Sequence, residues 1–295
     1  MKKTHIHQSA KVITMASILA GAIALSSCGK KEETEQVLRF SAIPDENTTA
    51  QAEQYAPVAK WMSEKLGVKV EFVPSASYSD SVDKFSTGDI QLAWFGGVSG
   101  VQAREAVEGS KAIIAGEKDL AFKSYFIANA STGLEKSADF PTGLKGLTFT
   151  FGSNSSTSGC IMPSHFIIEN TKVKPAEYFS KIGYSGAHDK TALTVQDGTF
   201  QAGAMSFSAY ERMVKEGKID PEKCRVIWET PLYADYNFTA SGKLDKMFGE
   251  GFTEKLKKAL LECDDPAVLK AFTRKKFVEV ENSTFQGIAD VMKSL

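Results

Sequence analysis

The chain has 295 residues, 42% of which are hydrophobic, and a formal net charge of −1. This much apolar sequence is enough for the core of one large domain or of two medium ones. The balanced charge and the lack of a long basic run argue against nucleic acid or an anionic membrane surface as a partner.

The N-terminal segment has the pattern of a lipoprotein signal peptide. After a basic start, residues 12–25 form an apolar run too short for a comfortable membrane span, and Leu25-Ser26-Ser27-Cys28 looks like a bacterial lipobox. We predict residues 1–27 as the signal peptide, Cys28 as the diacylated residue and residues 28–36 as a tether. A plain secretory signal with an incidental cysteine is the alternative. The folded domain is then expected in the cell envelope, in the periplasm or on the outer face of the cytoplasmic membrane.

Strand-like and helix-like segments alternate in the first part of the remaining chain. Strands are predicted at residues 37–43, 68–73, 90–95 and 112–115, and helices at residues 55–66, 81–86 and 101–107. This alternation argues for the open, mostly parallel sheet of an α/β domain. Ligands of such sheets collect at the carboxyl ends of the strands, which here carry Asp45, Tyr78, Gly96 and Gly97.

A further strand is predicted at residues 125–129, and after it the pattern begins again and predicts a second α/β unit at roughly residues 130–236. The predicted strands of this unit are residues 147–151, 179–184 and 226–229, with a short apolar segment at 201–206, and its predicted helices are residues 160–168, 190–195 and 208–216. Residues 238–240 look like a crossing back to the first unit, and the tail from residue 250 is rich in helix. The sequence therefore predicts two α/β lobes, joined by two crossings, with a cleft between them.

A turn at residues 152–159, Gly-Ser-Asn-Ser-Ser-Thr-Ser-Gly, carries five hydroxyl side chains between a predicted strand and a predicted helix. The first N–H groups of a helix lack intrahelical partners, and the helix dipole adds roughly half a positive charge there. Such a turn is suited to an oxyanion, with the hydroxyls as extra donors. The alternative is that one of these residues only caps the helix.

Three further cysteines, Cys160, Cys224 and Cys263, are widely spaced and form no CxxC motif or cysteine/histidine cluster. We therefore expect no zinc site, and no cofactor is required. A disulfide between Cys224 and Cys263 and buried free thiols both fit the sequence.

Several short motifs, in their order and spacing, resemble one known family. They are the lipobox, Ile-Pro-Asp-Glu at 43–46, Leu-Ala-Trp-Phe-Gly-Gly at 92–97, Ser-Thr-Ser-Gly at 156–159 and Gly-Ala-His-Asp at 186–189. Together they look like the phosphate/phosphite/phosphonate substrate-binding proteins of ABC importers. The run at residues 94–104 is most similar to the subgroup described as selenate-binding.

The resemblance implies a type II periplasmic binding protein fold that closes on its ligand by a hinge. Lobe I would comprise residues 37–127 and 239–295, and lobe II residues 128–238. It also implies a monomer that binds a small oxyanion and delivers it to an ABC permease and ATPase. The implied ligand-binding positions are Ser156, Thr157 and Ser158 as the anion cradle, His188 as a ring-nitrogen ligand, and Tyr78, Phe95, Gly96, Gly97, Ser206 and Asp45 around them.

Two of these positions depart from the family pattern. Phe95 stands where relatives often have tyrosine, so a hydroxyl is missing, and Ser206 stands where phosphonate binders commonly place an aspartate. A pocket carboxylate can accept a hydrogen bond from a protonated phosphonate but repels selenate or sulfate, which carry no proton. Serine at position 206 therefore favours a fully ionised anion, unless Asp45, Glu46 or Asp189 supplies the acceptor.

The chemistry of His188 leaves two options, a cation or a neutral donor. If His188 binds as a cation, affinity should fall as the pH rises past neutrality. Two other functions fit the same residues: a binding protein that presents its occupancy to a membrane receptor, and a hydrolase with a Ser158/His188 pair. The hydrolase hypothesis is weak because the Gly-x-Ser-x-Gly motif is absent.

Overall fold

The computed structural model describes residues 36–46 and 50–295. The signal peptide, Cys28 and the tether as far as residue 35 lie outside the described residues, so these remain predictions. Within the described ranges, every helix is too short or too polar to cross a membrane.

In the described part of the chain, eleven strands form two sheets. They are β1 (Val37–Ala42), β2 (Lys69–Phe72), β3 (Leu92–Phe95), β4 (Lys111–Gly116), β5 (Ser124–Asn129), β6 (Thr148–Phe151), β7 (Lys181–Tyr184), β8 (Ala202–Ser206), β9 (Cys224–Glu229), β10 (Asn237–Ala240) and β11 (Phe277–Glu279). The first sheet has the order β11-β4-β10-β3-β1-β2, and the second has the order β7-β6-β8-β5-β9. We call each sheet with its helices the first lobe and the second lobe.

Both sheets are mixed, which corrects the expectation of mostly parallel pairing. In the first sheet β1 pairs in parallel with β2 and β3, but β10 runs antiparallel between β3 and β4. In the second sheet β6 pairs in parallel with β7 and β8, whereas β5 is antiparallel to β8 and β9. The antiparallel strands β5 and β10 are those by which the chain enters the second lobe and returns from it.

Eleven α-helices cover the sheets within the described residues. They are α1 (Gln51–Leu66), α2 (Tyr78–Thr87), α3 (Gly97–Ala106), α4 (Met162–Thr171), α5 (Pro175–Tyr178), α6 (His188–Gln196), α7 (Phe207–Lys215), α8 (Leu244–Phe248), α9 (Phe252–Leu261), α10 (Pro266–Ala271) and α11 (Gln286–Ser294). Two of the helices beside the cleft begin at a serine N-cap. Ser77 caps α2 and Ser206 caps α7, each by accepting from a backbone N–H group. Helices on both faces explain why β3 is buried at every position.

Two crossings connect the lobes, at residues 117–123 and 230–236. They pair with each other, since the N–H groups of Phe122 and Tyr233 donate to each other's carbonyls (2.8 and 2.9 Å). The Asp235 N–H also donates to the carbonyl of Asp119 (2.9 Å). The predicted lobe limits at 127/128 and 238/239 fall inside β5 and β10, whereas each strand lies wholly in one sheet.

Cys160, Cys224 and Cys263 are buried free thiols. Of the two alternatives that the sequence left open, a Cys224–Cys263 disulfide and buried free thiols, the structure therefore has the free thiols. Burial raises the pKa of Cys160 to about 11 and that of Cys224 to about 12, so both stay protonated at neutral pH.

Candidate functional site

The hydroxyl-rich turn after β6 forms the floor of the cleft. Its last part, Thr157–Ile161, is a π-helical turn that continues into α4, and such turns are frequent at functional sites. Ser156 precedes it, and the Ser156 Oγ accepts from the Gly159 N–H at 3.0 Å. Ser156 is therefore a helix cap, yet its own O–H stays available as a donor. The side chains of Ser156, Thr157 and Ser158 are all buried.

The first lobe meets this turn through the start of α3. The Val98 N–H donates to Thr157 Oγ1 (3.0 Å), and the Gly97 N–H donates to Oδ1 of Asp235 (2.8 Å). The Gly96 N–H is used within its own loop, by Ser99 Oγ at 3.1 Å. The N–H groups of Gly96 and Gly97 thus both have acceptors within the protein, and contact of these two residues with a ligand stays a prediction.

The role of Gly96 is steric, because its lack of a side chain leaves room for neighbouring segments. A Cβ atom at this position would lie 3.2 Å from both Asp235 Oδ1 and Thr157 Oγ1, which is tighter than ordinary contact. Glycine therefore allows the second crossing and the hydroxyl turn to approach the end of β3 closely.

Asp235, which the sequence analysis missed, lies at the centre of these contacts. Its side chain is 1% exposed, and its Oδ2 atom is buried without a hydrogen-bond partner. Burial raises the pKa of the Asp235 carboxyl to about 7, against the opposing effect of the Gly97 N–H. The hydroxyls of Thr157 and Ser158 face the same carboxyl. The site thus holds one carboxyl oxygen that can accept or share a proton near neutral pH.

A local signal for Asp235 exists in the sequence. It lies in Tyr-Ala-Asp-Tyr at residues 233–236, an acidic residue between two tyrosines on a segment that had to cross the cleft. Tyr233 also belongs to the site wall, because its hydroxyl pairs with that of Ser124 (2.6 Å), and Ser124 Oγ donates to the Ser158 carbonyl (2.8 Å). Ser206 leaves no carboxyl after β8, and Asp235 brings a carboxyl to the hydroxyl turn from the second crossing.

His188 begins α6 and is buried against the hydroxyl turn. Its Nδ1 atom accepts from the Ser206 N–H at 3.3 Å, which places the ring proton on Nε2. Nε2 is buried and has no partner. Burial lowers the pKa of His188 to about 4, so the imidazole is neutral at neutral pH. Of the two options for His188, the structure favours the neutral N–H donor in the free protein.

Ser206 orients His188 and caps α7. Its backbone N–H donates to the imidazole, and its Oγ accepts from the Ala209 N–H at 3.3 Å. Because the hydroxyl oxygen accepts the capping hydrogen bond, the main effect of Ser206 on the site is to orient the His188 imidazole through its backbone N–H. Its predicted direct contact with a ligand remains a prediction.

The remaining predicted positions lie in the first lobe. Tyr78 begins α2, and burial raises the pKa of its hydroxyl well above the ordinary value, so it stays a donor; it faces Ser156. Asp45 accepts from the His188 N–H through its carbonyl (2.9 Å) and from the Tyr236 hydroxyl through Oδ2 (2.9 Å). Phe95 packs edge-on against Phe85 in the core and offers no polar group.

Taken together, the site presents neutral donors and the carboxyl groups of Asp235 and Asp45. The donors are the hydroxyls of Ser156, Thr157, Ser158 and Tyr78 and the Nε2–H of His188, with Asp235 beside them. Such a set suits a small tetrahedral oxyanion held by hydrogen bonds in a dry cleft. The hydrolase hypothesis loses support here, because Ser158 faces Tyr233 and Asp235 while the Nδ1 of His188 is engaged with Ser206.

The sequence profile described as "ABC transporter, phosphonate, periplasmic substrate-binding protein" matches residues 40–285. The chain belongs to this family. Family membership confirms the predicted resemblance at that level, and it confirms a binding protein and not an enzyme.

Individual members of the phosphonate-binding family are similar over nearly the whole chain. The probable ABC transporter phosphite binding protein PhnD1 of Prochlorococcus marinus is 36% identical over 269 residues, which cover 88% of this chain and 90% of that protein. The phosphate-import protein PhnD of Mycolicibacterium smegmatis is 28% identical over 95% of this chain and 88% of its own length.

Solved structures of the family confirm the two-lobed type II fold. The structure of PhnD1 from Prochlorococcus marinus in complex with methylphosphonate matches with a TM-score of 0.83 at 36% identity, covering 88% of this chain and 97% of that chain. A binding component of an ABC phosphonate transporter from Pseudomonas aeruginosa matches with a TM-score of 0.76 at 20% identity, covering 88% of this chain and 86% of that chain.

Proposed function

We propose that this protein captures a tetrahedral phosphorus oxyanion that keeps one proton, of the phosphite and methylphosphonate class. The observation that carries the proposal is the buried carboxyl group of Asp235 beside the hydroxyls of Thr157 and Ser158. The hydroxyls and His188 would bind the bare oxygens of the anion, and Asp235 would accept the hydrogen bond from its P–OH group.

The same carboxyl disfavours the selenate-like ligand that the sequence suggested. That suggestion depended on the resemblance of residues 94–104 to the selenate-binding subgroup and on the absence of an aspartate at position 206, and Asp235 supplies a carboxyl by another route. Selenate and sulfate carry no proton at neutral pH, so the ionised fraction of Asp235, whose pKa is about 7, repels them. Relatives support this choice, since one is named as a phosphite binding protein and its structure is in complex with methylphosphonate.

The bound anion would be delivered to an ABC permease and its ATPase, as in other members of the family. We further propose that Cys28 is acylated and that the lipid is the membrane contact of a monomeric protein. Signal peptide, anchor and tether together would place the two lobes outside the cytoplasm.

Calorimetry with phosphite, methylphosphonate, phosphate, sulfate and selenate tests the ligand class. We expect phosphite or methylphosphonate to bind more tightly than sulfate and selenate. In Asp235→Asn the phosphorus anions should bind about 10- to 100-fold more weakly, as expected for loss of a charged hydrogen bond, while sulfate and selenate gain or stay level.

The matched control is Asp264→Asn, which neutralises an exposed aspartate and should leave every affinity unchanged. A wild-type protein that prefers selenate or sulfate would show that the proposed ligand class is wrong.

A further inference from the structure

An ion pair joins the two lobes beside the site without belonging to it. Glu46 follows β1 in the first lobe, and Arg212 lies on α7 in the second; their carboxylate and guanidinium groups are paired. The side chain of Arg212 is 28% exposed and that of Glu46 is 25% exposed. The ion pair is therefore partly shielded from solvent, which strengthens the interaction relative to a fully exposed pair, although neither side chain is part of the core.

Glu46 and Arg212 lie on the two segments that hydrogen-bond His188, namely the loop after β1 and helix α7 with its N-cap. Glu46 is the neighbour of Asp45, whose carbonyl accepts from the His188 N–H. Arg212 is on α7, the helix capped by Ser206, whose N–H donates to the imidazole. Pulling Glu46 and Arg212 together therefore brings the loop after β1 and the start of α7 onto His188 from opposite lobes.

The pair borders a small polar cavity of about 60 Å³ between the lobes. Charged and hydroxyl groups line it, namely Asp45, Glu46, Ser206, Arg212, Tyr236 and Arg274. The positive charge of Arg212 also lowers the pKa of Asp45 and so partly offsets the increase that burial causes. One cation of the second lobe thus faces two acids of the first.

We infer that Glu46 and Arg212 form an inter-lobe latch, a pair of positioning residues that hold the lobes closed on the ligand without touching it. The identity of the ligand rests on the proposed function, but the latch itself does not. Because the pair forms only when the lobes meet, it should slow ligand release.

The test uses Glu46→Gln, Arg212→Gln, the double variant, and the exchanged pair Glu46→Arg with Arg212→Glu. Dissociation of methylphosphonate, followed by stopped flow, should be about three- to tenfold faster in each single variant, as expected for a partly shielded ion pair. The double variant should be no faster than the singles, because both remove one shared interaction. The exchanged pair should recover most of the slow dissociation.

Arg225→Gln and Glu135→Gln are the matched control, because this ion pair lies within the second lobe. Both should dissociate methylphosphonate at the wild-type rate. Wild-type dissociation in the Glu46 and Arg212 single variants, or an exchanged pair as fast as those singles, would overturn the latch.

A second measurement needs no ligand and separates the latch from the proposed function. Solution scattering of the ligand-free proteins should give a larger radius of gyration for Glu46→Gln and Arg212→Gln than for wild type and the control variants. If wild type binds neither phosphite nor methylphosphonate, the proposed function fails, and this comparison alone decides the latch: equal radii would refute it.

Discussion

At the scale of single residues, Asp235 uses its two oxygens differently. Oδ1 accepts from the Gly97 N–H of the first lobe, while Oδ2 is buried in the same pocket as the hydroxyls of Thr157 and Ser158. In His188, likewise, Nδ1 accepts from the Ser206 N–H, whereas Nε2 has no partner. In each side chain one atom is fixed by the protein, which would hold the other atom in place for the proposed ligand.

The dependence of affinity on pH should separate these two residues. Burial raises the pKa of Asp235 to about 7 and lowers that of His188 to about 4. The anion and Asp235 must share one proton, which is lost as the pH rises above about 7, so affinity for methylphosphonate should fall there by up to tenfold per pH unit.

Calorimetry between pH 5.5 and 9 distinguishes the source of this fall. The slope should disappear in Asp235→Asn and persist in His188→Gln, which loses affinity at every pH. A slope that persists in Asp235→Asn but disappears in His188→Gln would instead support the charged His188 considered from the sequence.

At the scale of elements, the site depends on how tightly the π-helical turn packs. A Cβ atom on Gly159 would lie 2.9 Å from Ser156 Oγ and 3.2 Å from Cε1 of His188. Both neighbours are donors of the proposed cradle, and Ser156 also caps the turn through the Gly159 N–H. The site geometry therefore requires that residue 159 has no side chain.

Gly159→Ala should weaken methylphosphonate binding at least tenfold, because Ser156 and His188 must both move. We expect a cost of about 1–3 kcal/mol in the free energy of unfolding from the overpacking. Calorimetry and urea unfolding measure the two effects. Gly287→Ala is the control, since a Cβ there meets nothing within 4 Å, and wild-type affinity in Gly159→Ala would contradict this geometry.

Sequence patterns predicted most elements, because the alternation of apolar runs is local. They also selected the cradle, His188 and Tyr78, which the structure brings to one cleft. They missed the direction of β10 and the role of Asp235, because both depend on where a crossing strand inserts into a sheet and not on local periodicity. The comparison of position 206 with the family pattern did not point to Asp235, because the two residues lie on different segments of the chain.

At the scale of the whole molecule, the buried site acts against stability of the free protein. The ordinary pKa of aspartate is 3.8, and that of Asp235 in the folded protein is about 7. Between these values the folded protein keeps a proton that the unfolded chain has released. The Asp235 contribution therefore lowers stability as the pH rises from about 4 to about 7, and the loss is complete above that range.

Asp235→Asn removes this effect and should stabilise the ligand-free protein. At pH 8 we expect a gain of roughly 2–4 kcal/mol in the free energy of unfolding, and at pH 4 almost none. Urea unfolding at the two pH values measures it, with Asp264→Asn as the reference. A variant that is destabilised more at pH 8 than at pH 4 would instead show that contacts in the folded protein favour the ionised form of Asp235.

The π-helical turn Thr157–Ile161 also limits how this binding site can change over generations. Successive helical residues are about 100° apart around the axis, so removing one residue from the turn would rotate Ser156 and Thr157 away from the cleft relative to α4. Substitutions can tune the cradle gradually, whereas a one-codon deletion would abolish it in one step. Homologous chains that bind the same anion should therefore keep the length of this turn.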